Sequence, residues 1–294
     1  MQKYEKNEKW KFFRIFATLK KNEKKMKQLT FCLAMAALLL AGCKHDNKEF
    51  KTHTLSGEKC WLQIFDEPYI FDLDTVGVKV TYSLQWPDKG VISPAAEREL
   101  MFLCFADSNK VNVESAIQGW IVEDVNDLQT VESINEEHGY SYLDIQGTCR
   151  KDSTLATFII QTEGFPFGAA HGMYSTDFLT VDLETGNAIH LTDLVADTNL
   201  LCEAIAHAIQ DLEVNKEVRE CLFDEFRDVE RMPMPHDFFI DSTRSAIVVN
   251  YGLYHIAPYA CGIQSIVLPI FWLSKHVALT PYAKRLFGPE SYIE

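Results

Sequence analysis

The chain lacks the short motifs that mark several common catalytic sites. It contains no Gly-x-Ser-x-Gly nucleophile elbow, no glycine-rich phosphate loop and no zinc-protease helix motif. No two of its cysteines have the two-residue spacing of a redox or zinc site. It also lacks a sequence that would span a membrane. Its most hydrophobic run, Leu29–Leu40, has 12 residues, whereas a spanning helix needs about 20. We therefore expect no catalytic residue, no metal site and no cofactor.

Basic residues are scarce after the first 42 positions. The whole chain has a formal net charge of −14, but residues 43–294 hold 18 Lys and Arg against 39 Asp and Glu, which is −21. A protein this acidic is a poor nucleic-acid binder, because binding phosphates requires clustered cations. It suits a basic protein partner or a cation instead. With 47% hydrophobic and 12% aromatic residues, the chain can bury a sizeable core and is not disordered.

Residues 1–42 have the pattern of an export signal. A basic segment that ends at Lys27 precedes the apolar run Leu29–Leu40, as in signal peptides. The next residues read Leu40-Ala41-Gly42-Cys43 and resemble the bacterial lipobox, whose cysteine is acylated and becomes the new amino terminus. We expect translation to start at Met26 and the mature lipoprotein to be held at a membrane by fatty acids such as palmitate on Cys43. The implied location is the extracytoplasmic side of the bacterial envelope, on a periplasmic or surface face.

Six further cysteines follow Cys43. Outside the cytoplasm, an even number of cysteines allows disulfide bridges. Several of the six lie in apolar patterns, where a free thiol is a good small core residue. The sequence leaves the choice between bridges and buried thiols open for these residues, which are Cys60, Cys104, Cys149, Cys202, Cys221 and Cys261.

Hydrophobic periodicity predicts a mixture of strands and helices. The mixture, with its many hairpin signals, favours an α+β fold with a mainly antiparallel sheet and packed helices. Predicted helices cover 94–106, 113–121, 198–213, 216–229 and a last short stretch from Pro281 that ends before Gly288. Predicted strands cover 60–64, 76–86, 140–149, 155–162, 176–183, 188–191, 238–240, 246–251 and 262–271.

The sequence suggests three regions after the signal segment. Residues 43–58 are polar and predict a tether. No internal repeat or low-complexity linker occurs within 60–290. A soft boundary near residue 150 divides the rest into an N-terminal α+β part, 59–150, and a second part, 151–294.

Two glycine- and tyrosine-containing segments carry a family resemblance. The first reads Phe167-Gly168-Ala169-Ala170-His171-Gly172, and the second reads Tyr254-His255-Ile256-Ala257-Pro258-Tyr259-Ala260-Cys261-Gly262. Together they resemble the domain of unknown function in the extracellular part of RsiV-type anti-sigma factors, a domain also found ahead of peptidoglycan deacetylase domains. The likeness marks residues 151–294 as the RsiV-like domain, although Ala169 stands where that family usually has a second glycine. It implies an extracytoplasmic α+β domain that binds lysozyme in RsiV-type members, and it does not imply catalysis, because the deacetylase activity belongs to a separate domain.

The two motifs also predict a recognition surface. Gly168 and Gly172 flank His171, which indicates a turn or loop, and loops on a rigid sheet are where binding residues gather. Tyrosine offers a large contact area with one polar tip at little entropic cost. The functional interpretation makes a partner-binding surface of His171, Tyr174, Tyr254 and Tyr259. The alternative is that His171 binds a buried carbonyl and the tyrosines pack for structural reasons.

Two other sites involving His255 have less support. A metal site of His171, His255 and a carboxylate uses suitable ligands, but no ligand-like spacing accompanies them. A reactive pair of Cys261 and His255 is disfavoured because Cys261 lies at the start of an apolar strand, where a structural role is typical.

The sequence thus favours a membrane-anchored bacterial envelope lipoprotein with a non-catalytic binding domain. Its partner would be lysozyme or another basic cell-wall-active protein, drawn by complementary charge. The alternatives are an enzyme or accessory protein that acts on cell-wall or surface glycans, and a purely structural envelope protein.

Overall fold

The computed structural model describes residues 49–64, 75–106, 112–128, 140–165, 169 and 171–292. The signal segment, the start at Met26 and the lipobox with Cys43 lie outside the described residues, as do Phe167, Gly168 and Ala170 of the first motif. The described residues belong to one compact unit, Lys48–Glu294. No helix among them is long and apolar enough to cross a membrane.

The first sheet has five strands in sequence order. They are β1 (Thr52–Ile64), β2 (Thr75–Pro87), β3 (Tyr140–Lys151), β4 (Leu155–Phe165) and β5 (Met173–Asp182). Neighbouring strands are antiparallel except β2 and β3, which are parallel. A parallel pair needs a long crossover, and here the crossover contains helices α1 (Pro94–Phe105) and α2 (Val113–Leu128).

Helices α1 and α2 cover one face of this sheet. Helix α1 begins where the sequence predicts, because the Ser93 hydroxyl accepts a hydrogen bond from the Ala96 amide at 3.2 Å and Pro94 occupies the first turn. The core between helices and sheet is built from alternate strand residues and the inner stripe of α1, and it includes Val80, Leu84, Leu100, Ile145, Phe158 and Ile160. The opposite face of the sheet carries exposed polar residues, including Gln146, Gln161 and Glu163.

The second half of the unit forms a smaller antiparallel sheet with five helices. Its strands are β6 (Asp237–Ile240), β7 (Ala246–Tyr251) and β8 (Gln264–Pro269). Its helices are α3 (Leu191–Leu194), α4 (Thr198–Asp211), α5 (Lys216–Cys221), α6 (Ile270–His276) and α7 (Pro281–Phe287). The apolar stripe of α4 packs into one cluster with the buried residues of β7 and β8, including Leu201, Ile205, Ile247 and Ile266.

The two sheets meet where β5 runs beside β6. The Phe178 amide of β5 donates a hydrogen bond to Asp237 Oδ2 at 2.6 Å, and the rings of Phe178 and Phe239 lie 4.6 Å apart. Elsewhere Arg244 in the β6–β7 turn forms an ion pair with Asp152 at 2.7 Å. The β7–β8 connection is held at the start of β5 by a separate contact, because the Tyr259 hydroxyl donates to the Gly172 carbonyl at 3.0 Å.

The α+β class and its mainly antiparallel sheets are confirmed, but several predicted elements have different bounds. Residues 188–191, predicted as a strand, form a single bridge between Val181 and Ala188 and then begin α3, because the Asp193 carboxylate accepts the His190 amide at 2.8 Å. The helix predicted over 216–229 ends at Cys221. The strand predicted over 262–271 ends at Pro269, and α6 follows at once.

Two of the expected region boundaries lie within the first sheet. Residues 52–58, which the sequence predicted as part of a tether, form the first half of β1. Their polar composition arises because β1 is an edge strand with exposure on both sides. The expected boundary near residue 150 falls at the β3–β4 hairpin, within one sheet.

Candidate functional site

The structure brings the four residues of the predicted recognition surface into one exposed group, which we call the aromatic cluster: His171, Tyr174, Tyr254 and Tyr259. The His171 ring lies 4.5 Å from the Tyr259 ring, and Tyr174 meets Tyr259 edge-on at 6.0 Å. Tyr254 lies 5.6 Å from Tyr259. Tyr174 is 40% exposed and Tyr254 is 49% exposed, so two large rings face solvent where burial would be normal.

Hydrogen bonds fix His171 within this cluster. Its Nδ1 lies 2.9 Å from the Gly172 carbonyl, so Nδ1 carries a proton and donates it to that oxygen. Nε2 can then accept from the Tyr254 hydroxyl, which is 3.1 Å away. Tyr259 donates its hydroxyl to the same Gly172 carbonyl at 3.0 Å. The imidazole is thereby oriented by the two motifs, and it is exposed.

The backbone around the second motif is unusual in two places. Tyr254 has φ 61°, a left-handed conformation that is uncommon for residues other than glycine. Gly262 has φ 71°, and a Cβ atom there would lie 3.0 Å from the Tyr174 hydroxyl. Gly262 therefore allows both the turn after Tyr259–Cys261 and the close approach of Tyr174.

A disulfide bridge holds this turn in place. Cys221 at the end of α5 is bonded to Cys261, the last residue of the 3₁₀ turn Tyr259–Cys261. Two of the six cysteines that follow Cys43 are therefore paired. Because Cys261 is one of them, it has no free thiol to react. The other described cysteines are free: Cys60 is exposed, Cys149 is half-buried, and Cys104 and Cys202 are buried. Burial raises the pKa of the Cys104 thiol far above its usual value, so it acts as a core residue.

A polar row on the open face of the first sheet continues from the cluster. Tyr174, Glu163 and Asp144 are direct neighbours across β5, β4 and β3. Tyr142 donates its hydroxyl to Glu163 at 3.0 Å and stacks on Phe165 at 6.3 Å. Burial, with that hydrogen bond second, raises the pKa of Tyr142. The rings are thus bordered by carboxylates, a feature that sequence reasoning missed because these residues lie on three different strands.

A second polar network lies at the β5–β6 contact. Asp177 is 5% exposed, and its two oxygens accept from His236 Nε2 at 2.7 Å and from the Ser175 hydroxyl at 2.6 Å. The hydrogen bond to Asp177 raises the pKa of His236. Burial raises the pKa of the neighbouring Asp237 to about 6, although Asn250 donates to its carboxylate at 2.9 Å. No local motif predicted this network, because Asp177 and His236 are 59 positions apart.

The structure does not unite His171 with His255. His255 lies edge-on against Tyr251 at 5.3 Å, and burial lowers its pKa. Among the described residues, no group of three or more histidine, cysteine or acidic side chains is arranged to hold a metal ion. The weakly supported metal site therefore has no geometric basis in the described part of the chain.

Comparisons with known proteins found solved structures with a similar fold. No protein-family model and no curated protein matches the chain. The fold resembles the crystal structure of a DUF3298 family protein from Bacteroides fragilis. That match has a TM-score of 0.55 and 18% sequence identity, and it covers 80% of this chain and 94% of that one. A DUF3298 family protein from Pseudomonas aeruginosa PAO1 matches with a TM-score of 0.48 and 17% identity, over 81% of this chain and 97% of that one. The first likeness shows a shared fold.

Proposed function

We propose that this chain is a lipid-anchored bacterial envelope protein whose folded domain binds a basic protein through the aromatic cluster. The observation that carries the proposal is the clustering of four aromatic side chains, from two distant motifs and the start of β5, on one exposed surface. Tyr174 and Tyr254 keep 40% and 49% of their surface in solvent, while hydrogen bonds and a disulfide fix the backbone beneath them. Pre-ordered tyrosines lose little entropy when a partner binds.

Charge supports a basic partner. Residues 43–294 carry a formal charge of −21, and Glu163 and Asp144 continue in a row from Tyr174. Complementary charge mainly raises the association rate and the selectivity. The resemblance of both motifs to RsiV-type domains makes lysozyme, a small basic cell-wall-active enzyme, the first partner to test.

The chemistry of the cluster favours binding over catalysis. His171 is occupied by the Gly172 carbonyl and the Tyr254 hydroxyl. Among the described residues, no carboxylate forms an ion pair with His171 and no serine or cysteine is bonded to it. General acid–base or nucleophilic catalysis requires such a partner, so we assign the cluster a recognition role.

The test is lysozyme binding to the full chain, measured by calorimetry at low and high salt. The double variant Tyr174→Ala, Tyr254→Ser should weaken binding at least tenfold, because it removes both exposed rings. Phe102→Ala is the matched control, since Phe102 is also a 40% exposed ring but lies outside the cluster. The absence of any heat with lysozyme, or equal binding by all three proteins, would contradict the proposal.

The anchor is tested separately at Cys43. Replacing Cys43 by serine should abolish incorporation of labelled palmitate and block signal processing, so that the larger precursor accumulates. Unchanged processing of Cys43→Ser, with no palmitate incorporated into either protein, would show that the chain is not a lipoprotein. This result would leave the binding surface unaffected, because the described residues fold into a unit of their own.

A second candidate function is recognition of cell-wall or surface glycans. The observation that favours it is the polar face beside the rings, where Gln161 and Gln146 are exposed next to the row with Glu163. Aromatic rings bordered by amides and carboxylates also suit sugar rings with many hydroxyls. Titration with a chitin tetrasaccharide distinguishes the two candidates. Saturable binding that is lost in Tyr254→Ser and insensitive to salt would favour glycans over a basic protein.

A further inference from the structure

The first sheet ends in a long strand whose outer edge is not covered by any strand that the structure describes. Strand β1 (Thr52–Ile64) has 13 residues, stands last in the strand order and pairs with β2 on its inner side only. Its register with β2 is continuous from end to end, so no bulge bends the edge away, and it contains no proline. An edge with these features is a template to which another strand can add.

One contact shows which backbone groups of β1 face outward. The Asp88 amide donates to the Lys51 carbonyl at 2.9 Å, one step beyond the end of the β1–β2 ladder. Hydrogen-bonded and non-hydrogen-bonded pairs alternate along an antiparallel ladder. The odd-numbered residues of β1 therefore bond to β2, and the even-numbered residues direct their amides and carbonyls away from the sheet. Four of these even-numbered residues are exposed: Thr54, Ser56, Glu58 and Cys60.

The two charged side chains of β1 do not guard this edge. Charges on an edge strand usually repel an added strand, but Glu58 is paired with Lys79 of β2 at 3.0 Å. Lys59 is paired with Glu114 of α2 at 2.7 Å. Both charges are thus neutralised by partners within the chain, and the outward backbone groups stay accessible.

The sequence of β1 indicates how a second copy would pair with it. In a two-fold antiparallel pair, one residue faces its own copy at the centre. Centres at Glu58 or Lys59 place like charges opposite each other, which is destabilising. A centre at Gly57 places Lys59 opposite Leu55. A centre at Cys60 places Lys59 opposite Trp61 of the second copy, where an ammonium group can lie over the indole ring.

We propose that the outer edge of β1 joins two copies of this chain in an antiparallel pair centred on Cys60. Residues 56–64 of each copy then face one another, and the outward amides and carbonyls of the even-numbered residues in this stretch form hydrogen bonds across the pair. The sheet of one copy continues into the sheet of the other. Because β1 and β5 lie at opposite edges of the sheet, this interface leaves the aromatic cluster free and does not depend on the proposed function.

The first test traps the pair through its central thiols. Facing residues in such a pair have Cα atoms about 5.5 Å apart, a distance that a disulfide spans. Oxidised glutathione is added to the full chain at pH 9, because burial and a hydrogen bond to Glu58 raise the pKa of Cys60. One Cys60 thiolate attacks the glutathione disulfide and releases a glutathione thiolate, and Cys60 of the second copy then displaces the other. Disulfide-linked dimers are measured on non-reducing gels.

The matched control for trapping is the double variant Ser56→Cys, Cys60→Ser. Its new thiol lies on the same exposed edge, but the two copies of residue 56 are roughly 25 Å apart in the proposed pair. Each rate is divided by the rate at which the same thiol reacts with a small aromatic disulfide, and Cys60→Ser alone gives the background from other thiols. The wild type should form dimers at least tenfold faster than the control. Equal rates would mean random collision and overturn the proposal.

The second test measures pairing without a covalent bond, by sedimentation equilibrium of Cys60→Ser. Adding Glu58→Pro should weaken dimerisation at least tenfold, because it removes an outward amide within the paired stretch. Thr54→Pro is the control, since it removes an outward amide outside that stretch. Neither amide bonds to β2, so both variants should keep the fold, which circular dichroism checks. A chain that stays monomeric at every concentration, or no effect of Glu58→Pro, would overturn the proposal and leave the edge to a strand of another protein.

Discussion

At the scale of single residues, Tyr259 and Tyr254 have different roles in the same cluster. Tyr259 is half-buried and donates to the Gly172 carbonyl, which joins the second motif to the start of β5. Tyr254 is exposed, and its hydroxyl contacts the exposed His171 ring. Tyr259 therefore stabilises the surface, whereas Tyr254 forms part of what a partner contacts.

We expect Tyr259→Phe to lower the free energy of unfolding by about 1 kcal/mol, because the Gly172 carbonyl loses a partly buried donor. Tyr254→Phe should change it by less than about 0.5 kcal/mol, since its hydroxyl can bond to water instead. Urea denaturation of both variants measures the difference. Equal losses in the two variants would contradict this division of roles.

Asn215 is the clearest example of a buried polar side chain that the fold depends on. It is 1% exposed, accepts the Val267 amide at 2.9 Å, and donates to the carbonyls of Ala208 and Val267 at 3.0 and 3.1 Å. Asn215→Ala should cost about 3 kcal/mol, because it leaves these buried backbone groups unpaired. The measurement is again urea denaturation. The control is Asn199→Ala, because Asn199 is exposed. An equally large loss of stability in this control would show that burial of the Asn215 hydrogen bonds is not the cause.

The sequence predicted the aromatic cluster more successfully than the other polar sites. His171, Tyr174, Tyr254 and Tyr259 belong to or adjoin two motifs, so their residue types and turns could be recognised locally. The bond between Asp177 and His236 joins residues 59 positions apart, and neither lies in a distinctive pattern. Such a pair depends on which strands lie side by side, and one chain's periodicity does not determine that.

At the scale of elements, the same distinction separates the correct predictions from the wrong ones. Helix α1 and strand β7 have strong local signals, a Ser-Pro start and a continuous apolar run. Helix α5 ends at Cys221 because Phe223 donates its amide to the Ile256 carbonyl at 3.0 Å, a distant contact. Short elements are therefore decided by tertiary partners that override local preference.

The disulfide is the element-scale feature with the largest expected effect. It joins α5 to the 3₁₀ turn of the second motif across a sequence separation of 40. The double variant Cys221→Ser, Cys261→Ser should lose about 2–4 kcal/mol of stability, mainly because its unfolded chain is less constrained. Urea denaturation with and without reductant measures the loss, and reductant should destabilise the wild type but not the variant.

The matched control for the disulfide is Cys60→Ser, because Cys60 is a free and exposed thiol. This variant should retain wild-type stability and the wild-type response to reductant. If the double serine variant were as stable as the wild type, the bridge would not constrain the β7–β8 connection. Its loss should also weaken partner binding, because Tyr259 lies in the turn that the bridge holds.

At the scale of the whole molecule, the contact between the two sheets contains groups that titrate near neutral pH. Burial raises the pKa of Asp237 from 3.8 to about 6. Asp237 therefore stabilises the folded state while it is protonated, and this stabilisation is lost as the pH rises through 6. The pKa of His236 is raised from 6.5 by its bond to Asp177, so its stabilisation is complete below 6.5 and lost above its folded pKa. His255 has the opposite effect on stability below pH 6.5. Burial lowers its pKa, so the folded state disfavours the protonated ring and loses stability as the pH falls.

We therefore expect the free energy of unfolding to fall as pH rises from 5 to 8, by on the order of 1 kcal/mol, mainly because of Asp237. Urea denaturation across this range measures it. His236→Gln should flatten the curve above pH 6.5, because no other cited group in the β5–β6 contact titrates there. His255→Gln should steepen the fall below pH 6.5 by removing the opposing group. A wild-type stability that rises steadily from pH 5 to 8 would mean that the Asp177–His236–Asp237 network does not control how the two sheets hold together.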